Sequence, residues 1–167
     1  MAERFKRHFL KDKELKQLVS QIQQKTNINV QDLFSPSLQV EVAQSKDTTI
    51  FLINDKPLFA EKEHMILPTL GPDDVTKFLS HVMVNMGAVP HVCNGADIMA
   101  PGVVNIIGDL KKDEFVVVVD EQHQKPLAIG ISLYDSEAIG NLKHGKIITN
   151  VHFVGDDLWH LLKKLQC

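Results

Sequence analysis

The chain has 167 residues, of which 44% are hydrophobic and 23% charged, with a formal net charge of -3. That length and balance allow one ordinary domain or two small ones around a buried core, and they exclude a disordered, low-complexity chain. Two cysteines, Cys93 and Cys167, give no disulfide framework and suit a reducing compartment. No apolar run approaches the length of a membrane span and the charged N-terminus lacks an apolar signal core, so a cytoplasmic protein without a membrane segment is expected.

Charge is unevenly spread. The first sixteen residues carry Arg4, Lys6, Arg7, Lys11, Lys13 and Lys16 against Glu3, Asp12 and Glu14, a local surplus that suits an acidic partner such as RNA or simply the solvated entry of a helix. DKELKQLVSQIQQK then predicts an amphipathic helix, because Leu15, Leu18, Val19 and Ile22 recur at helical spacing and Asp12 can cap its start. LQVEVAQ, TTIFLIND and KPLFAEKEHMILPTL read as three strands joined by the polar turns KD and NDKP, and helix plus hairpins makes a small α+β unit. GPDDVTKFLSHVMV predicts a capped helix with Val75, Phe78 and Leu79 on one face, running into a short strand VMV, and a domain boundary falls near it.

The second half is punctuated by glycine. GAVPHVCNG reads as a compact turn or short helix, IMAPGVV as a strand, EFVVVVDE as a strand buried on both faces and KPLAIGISLY as another. SEAIGNLKHG is a helical turn, KIITNVHF a last strand, and DDLWHLLKKL a closing helix whose acids sit at its N-terminal end and Lys163 and Lys164 at its C-terminal end. Short, regularly spaced strands with Gly87, Gly95, Gly102, Gly108, Gly130, Gly140 and Gly145 at the bends indicate a closed or nearly closed β-barrel.

Catalytic and metal patterns are missing. His91 and Cys93, with His81 and His144 elsewhere, lack the paired spacing of a tetrahedral metal site, and Cys93 reads as a buried apolar residue. Asp156 and Asp157 read as a helix start rather than a catalytic pair, and Ser132 and Ser136 fit no nucleophile elbow. No phosphate loop or dinucleotide fingerprint occurs. Trp159 reads as a core or interdomain anchor.

The segments GAVPHVCNGADIMAPGVV, GD at 108 and 109, FVVVVDE, KPLAIGIS, HGK and NVHFVGDDLW, in that order, resemble a PUA domain, the RNA-binding module named after pseudouridine synthases and archaeosine transglycosylases. With IFLINDKPLFAEKEHMILPTL ahead of them, nearly the whole chain resembles the malignant T-cell amplified sequence family and its archaeal relatives. The resemblance implies an α+β protein in which a small N-terminal α+β domain, residues 1–80, precedes a PUA-type mixed β-barrel, residues 81–167. It further implies that the glycine-rich segment lies against an RNA backbone, so that Asn94, Gly95, Ala96, Met99, Pro101 and Gly102 form one wall of the binding surface. Lys125, Lys143 and Lys146, with Lys111 and Lys112, are the candidate phosphate contacts near it. The structural alternative makes Gly95 and Gly102 barrel bends, Ile98, Val103 and Val104 core residues, and the lysines an ordinary solvated surface. One departure stands out: Asn85 and Met86 occupy positions where PUA sequences commonly carry a charged pair.

What the resemblance implies for function is a non-enzymatic, cofactor-free RNA-binding protein of translation. It would act near the small ribosomal subunit and the acceptor end of tRNA during initiation, reinitiation or recycling. Its partners would be tRNA or rRNA, the small subunit, and a protein resembling the density-regulated protein. The alternatives are an RNA-targeting subunit for a tRNA or rRNA modification enzyme and a protein-interaction adaptor.

Overall fold

The computed structural model describes residues 4–26, 28, 39–71 and 75–166. A strand that the sequence reading did not anticipate, β1 (Lys6–Phe9), leads into helix α1 (Asp12–Lys25). Asp12 is the first residue of that helix and not its cap. Lys11 holds the cap position with extended backbone, and its N–H donates to Glu14 Oε1 at 3.4 Å. Leu18 and Ile22 are buried as the periodicity predicted, with Leu15 and Val19 packed beside them.

Strands β2 (Val40–Ser45), β3 (Thr48–Ile53), β4 (Lys56–Lys62) and β5 (Met65–Pro68) continue from β1 as an antiparallel sheet in the order β1-β2-β3-β4-β5. The third predicted strand is therefore two. Its turn, Glu63–His64, has φ of 52° and 64°, the same left-handed pair that Asn54 and Asp55 adopt at 51° and 69°. Tight hairpin turns demand that geometry and Asn or Asp accept it readily, whereas Glu-His carries no such signal.

The predicted helix after Gly71 is one turn of 3-10 helix, Thr76–Phe78; Pro72, Asp73 and Asp74 of that prediction lie outside the described residues. Val75 and Leu79 are buried, but Phe78 is 46% exposed and belongs to no common face with them. Strand β6 then runs Ser80–Val84, longer than the predicted VMV. The second sheet also contains β7 (Ile98–Met99), β8 (Val103–Ile107), β9 (Phe115–Asp120), β10 (Pro126–Ser132) and β11 (Lys146–Phe153) in the order β7-β11-β10-β9-β6-β8. β6 and β9 are parallel and every other pair antiparallel, so the sheet is mixed. It curls into a half-barrel whose two edges, β7 and β8, are joined by a 3-10 turn, Ala100–Gly102, so that the predicted strand IMAPGVV is broken in its middle. Helices α2 (Val89–Val92), α3 (Ser136–Asn141) and α4 (Asp157–Gln166) complete the fold.

The apolar run of β9 shows how the two sheets meet. Val116 and Val118 pack into the half-barrel with Val82, Val84, Ala128 and Ile148, while Phe115, Val117 and Val119 pack with the N-terminal residues Ile50, Phe59 and Leu67. Side chains of a strand alternate between its faces, so a strand covered on both must be apolar throughout. Leu158 and Leu162 of α4 join the N-terminal core, whereas the expected anchor, Trp159, is only half-buried against His160 and under Lys163.

A buried histidine ties the same junction. Leu70 N–H donates to His152 Nε2 at 3.1 Å, which leaves the ring proton on Nδ1, and this donates to Asp156 Oδ2 at 2.8 Å. Asp156 also accepts the N–H of Phe153 at 3.0 Å and, through Oδ1, that of Trp159 at 2.7 Å, which caps α4. Burial pushes this carboxyl up, but the hydrogen bonds from His152, Trp159 and Phe153 outweigh it and hold the group below the usual aspartate range.

Candidate nucleic-acid interface

The segment Asn94–Gly102 is shaped from both ends. Asn85 accepts the Ala88 N–H at 3.0 Å and its own N–H donates to Gly102 O at 2.9 Å, which starts α2 and pins the far end of the segment to β6. That is the work of the position where the sequence departs from a charged pair; Met86, the other half of the pair, donates its N–H to Glu121 Oε1 at 3.1 Å. At the close of α2 the N–H groups of Asn94 and Ala96 both donate to His91 O and that of Gly95 to Val92 O, at 3.0 to 3.1 Å. Gly95 has a φ of +92°, and a Cβ there would lie 3.1 Å from the Phe153 ring. The left-handed turn favours glycine, and a Cβ would fit only if the Phe153 ring gave way by a few tenths of an ångström. Gly102 differs: its φ is not left-handed and an added Cβ would sit 3.5 Å from that of Ala88.

Asn150 of β11 clamps the loop. Its Nδ2 donates to Val92 O at 3.1 Å and Ala96 O at 3.0 Å, and its backbone N–H donates to Asp97 Oδ1 at 2.9 Å. Asp97 Oδ2 in turn pairs with Lys146 Nζ at 3.1 Å, and Ala100 N–H donates to Gly145 O at 2.8 Å. The Lys143–Lys146 turn is thereby held beside Met99, which is 49% exposed.

These constraints leave a groove of about 400 Å³ between α2, the end of β6 and the β7 segment. Ala96, Met99, Pro101 and Gly102 line it together with Val84, Asn85, Ala88, His91, Val92, Asp97 and Ile98. Of the six loop residues singled out in the sequence, four reach the groove, while Asn94 and Gly95 build the turn behind it. Ile98 is core as expected and Val103 is half-buried, but Val104 is 51% exposed on the outer side of β8. Cys93 is half-buried against the half-barrel core, and burial pushes its thiol up. Its environment is that of a packing residue. Among the described residues no cluster of His, Cys, Asp or Glu could hold a metal, and no helix is long and apolar enough to cross a membrane.

The candidate lysines scatter. Lys146 is adjacent to the groove but paired with Asp97; Lys111 is paired with Asp109 at 3.3 Å, and the Lys112 N–H is bound to Asp135 Oδ1 at 2.8 Å. Lys143 shares the turn with Lys146. Lys125 lies at the far end of β10, in a turn organised by Asp120, which accepts the N–H groups of Gln122, His123 and Lys125 at 2.6 to 3.0 Å. The backbone bond from His123, with those from Lys125 and Gln122, holds Asp120 below the usual aspartate range. The amides of Asn94, Gly95, Ala96 and Ala100 are also committed internally, so this part of the glycine segment is no open cradle for a phosphate. Sequence reading missed Asn150 and Asp97, and Asn85 stood out there only as a departure from the family's charged pair, not as the residue that starts α2.

The description "PUA domain" matches residues 80–154 and "Domain of unknown function (DUF1947)" matches residues 6–71. An uncharacterized protein of Methanocaldococcus jannaschii is 34% identical over 161 residues, covering 93% of this chain and 96% of that one. Translation machinery-associated protein 20 of Saccharomyces cerevisiae is 30% identical over 141 residues, covering 78% of this chain and 77% of that one. The crystal structure of a PUA domain from Aeropyrum pernix K1, a tartrate complex, superposes with a TM-score of 0.83 at 26% identity, covering 98% of this chain and 94% of that one. Fold, segment order and sequence agree over almost the whole length: the chain belongs to the family of PUA-domain proteins that includes translation machinery-associated protein 20 and the malignant T-cell-amplified sequence proteins.

Proposed function

We propose that this protein binds RNA within the translation apparatus, near the small ribosomal subunit and the acceptor end of tRNA, and acts by binding rather than catalysis. The names of its relatives support the translation role and its PUA domain supports RNA as the ligand. The observation that carries the mode of binding is the groove beside Met99 and Pro101: apolar walls, a rim of Asn85, His91 and Asp97, and a floor locked by Asn150. A groove of this kind takes up a splayed, unpaired base, because stacking and apolar contact reward base burial whereas the spent loop amides and Asp97 offer a phosphate nothing. Lys143, in the turn held beside Met99, then serves as a backbone contact. Division into residues 1–80 and 81–167 belongs to the same proposal, with α4 returning to serve the first unit's core.

The test is crosslinking of the tagged protein to RNA in cells, read beside a sucrose gradient, for the parent and for Met99→Asp. Crosslinks to tRNA or small-subunit rRNA, co-migration with small subunits, and loss of both in Met99→Asp are expected. Co-migration with an RNA-modifying enzyme would move the protein to the targeting-subunit reading, and crosslinks to neither RNA would leave the adaptor.

A further inference from the structure

Charge and shape are separated in this molecule. Six of its 18 lysines and arginines but only two of its 21 acids lie within residues 4–16, in a chain whose overall charge is negative. The fold leaves that stretch open to solvent: along the edge strand β1, at the cap residue Lys11 and in the first turns of α1 the side chains are exposed, apart from Phe5, Leu10 and Leu15. Arg7 is committed, its Nε and Nη2 donating to the two Glu41 oxygens at 2.7 and 3.2 Å. Arg4, Lys6, Lys11, Lys13 and Lys16 have no acid partner among the described residues. Lys13 and Lys16 share the solvent side of α1 with Gln17, Ser20 and Gln24, away from the buried Leu18 and Ile22. Phe9, the last residue of β1 and two before Lys11, is 64% exposed, the most exposed large apolar side chain among the described residues.

We propose that β1 and the start of α1 form a second RNA-binding surface, separate from the groove, in which Lys6, Lys11, Lys13 and Lys16 take phosphates and Phe9 stacks an unpaired base. Unpaired cations supply backbone attraction, and an exposed aromatic ring among them supplies a face that every base can use. An acidic protein would be served by the cations alone and gives no use for the ring. The groove of the half-barrel differs, with mostly apolar walls and, of the two lysines in the turn beside it, Lys146 neutralised by Asp97. The N-terminal surface therefore supplies most of the electrostatic affinity and the groove most of the discrimination. Two tethered contacts on one RNA raise each other's effective concentration. This inference rests on RNA being the ligand, but not on the groove being its site.

The experiment measures binding of the full chain to oligouridylate of about twelve nucleotides, within the length single-stranded sites occupy, across a salt series. The parent is compared with a Lys6→Gln, Lys13→Gln, Lys16→Gln variant, with Phe9→Ser and with Met99→Asp, each with its thermal midpoint. The triple variant should bind at least tenfold more weakly at low salt, with the log-log salt slope shallower by about 2, since each phosphate contact on a single strand contributes about 0.7. Phe9→Ser should lose about tenfold with its slope unchanged, as stacking is salt-independent. Midpoints should stay at the parent value, all five side chains being exposed. A triple variant with the parent's affinity and slope overturns the inference; if Met99→Asp alone is impaired, the groove reading stands without it. Loss in the triple variant with a parent-like Met99→Asp does the reverse. Equal binding of polyglutamate, with Phe9→Ser parent-like on RNA, overturns RNA in favour of an acidic protein.

Discussion

The start of α1 and the end of α2 are both short helical segments beside a sheet edge, yet their chemistry runs in opposite directions. Around the start of α1, Lys6, Lys11, Lys13 and Lys16 have no acid partner among the described residues, the ring of Phe9 is exposed, and Arg7 is held by Glu41. Around α2 nearly every polar group is spent on shape: Asn85 on Ala88, Asn150 on two carbonyls, Asp97 on Asn150 and Lys146. Mobile surface charge attracts a polyanion from a distance but cannot define a pocket, whereas a hydrogen-bonded loop defines a pocket and has little charge left to attract anything. One fold carries both because the two regions hang on different sheets, joined at His152.

The junction is where the comparison breaks most completely. Asp156→Ala orphans His152 Nδ1–H and two backbone N–H groups and removes the cap of α4, so we expect a loss of about 3 kcal/mol, or a midpoint lower by about 6 to 12 °C. Both regions should weaken together, as seen by thermal melting and RNA titration. The same carboxyl sets an acid limb. Its folded-state pKa lies below the unfolded value, so its stabilisation is complete above about pH 4 and is lost as pH falls through the folded value. Melts of Asp156→Ala below pH 4 should therefore lack that part of the parent's decline.

Asn150→Ala sharpens the contrast by releasing the α2 loop alone. Leaving two carbonyls without their donor should cost about 2 kcal/mol, with groove-dependent RNA binding reduced at least tenfold and the salt slope unchanged. A smaller effect separates the two loop glycines. Gly95→Ala should cost about 1 to 2 kcal/mol, for its left-handed backbone and the Phe153 ring, whereas Gly102→Ala should cost only a few tenths of a kcal/mol. A loss at Gly95→Ala no larger than the left-handed backbone alone costs, about 1 kcal/mol, would show that Phe153 gives way. The smallest effect is electrostatic: Lys143→Ala should flatten the salt slope by less than one unit, and Lys146→Ala by less still, because Asp97 already holds that charge.

Sequence reading went furthest where the physics is local. Helix α1 follows from the spacing of Leu15, Leu18, Val19 and Ile22, and the double burial of β9 from its unbroken valines. The cap at Asp156 follows from acids opening an amphipathic run. Reading fell short where one residue's role depends on a distant partner. Phe78 was assigned to a buried face that one turn of helix cannot provide, and Trp159 to an anchoring role that Leu158 and Leu162 fill. The family resemblance implies one wall made of six loop residues, but the turn at Gly95 sends Asn94 behind the groove and Met99 onto its lip.

By itself, the sequence determined the alternation of each strand's faces, the helix periods, the glycine bends and the excess of cations near the start. These are consequences of residue chemistry at neighbouring positions, where backbone sterics and solvation act within a turn or two. Tertiary structure alone decided that Asn150 grips a loop more than fifty residues upstream, that Leu70 N–H finds its acceptor on His152, and that Asp97 neutralises Lys146 while Lys13 and Lys16 of α1 have no acid partner among the described residues. Such pairings depend on which surfaces burial brings together, and a buried donor or a free charge is defined only once the chain around it has closed.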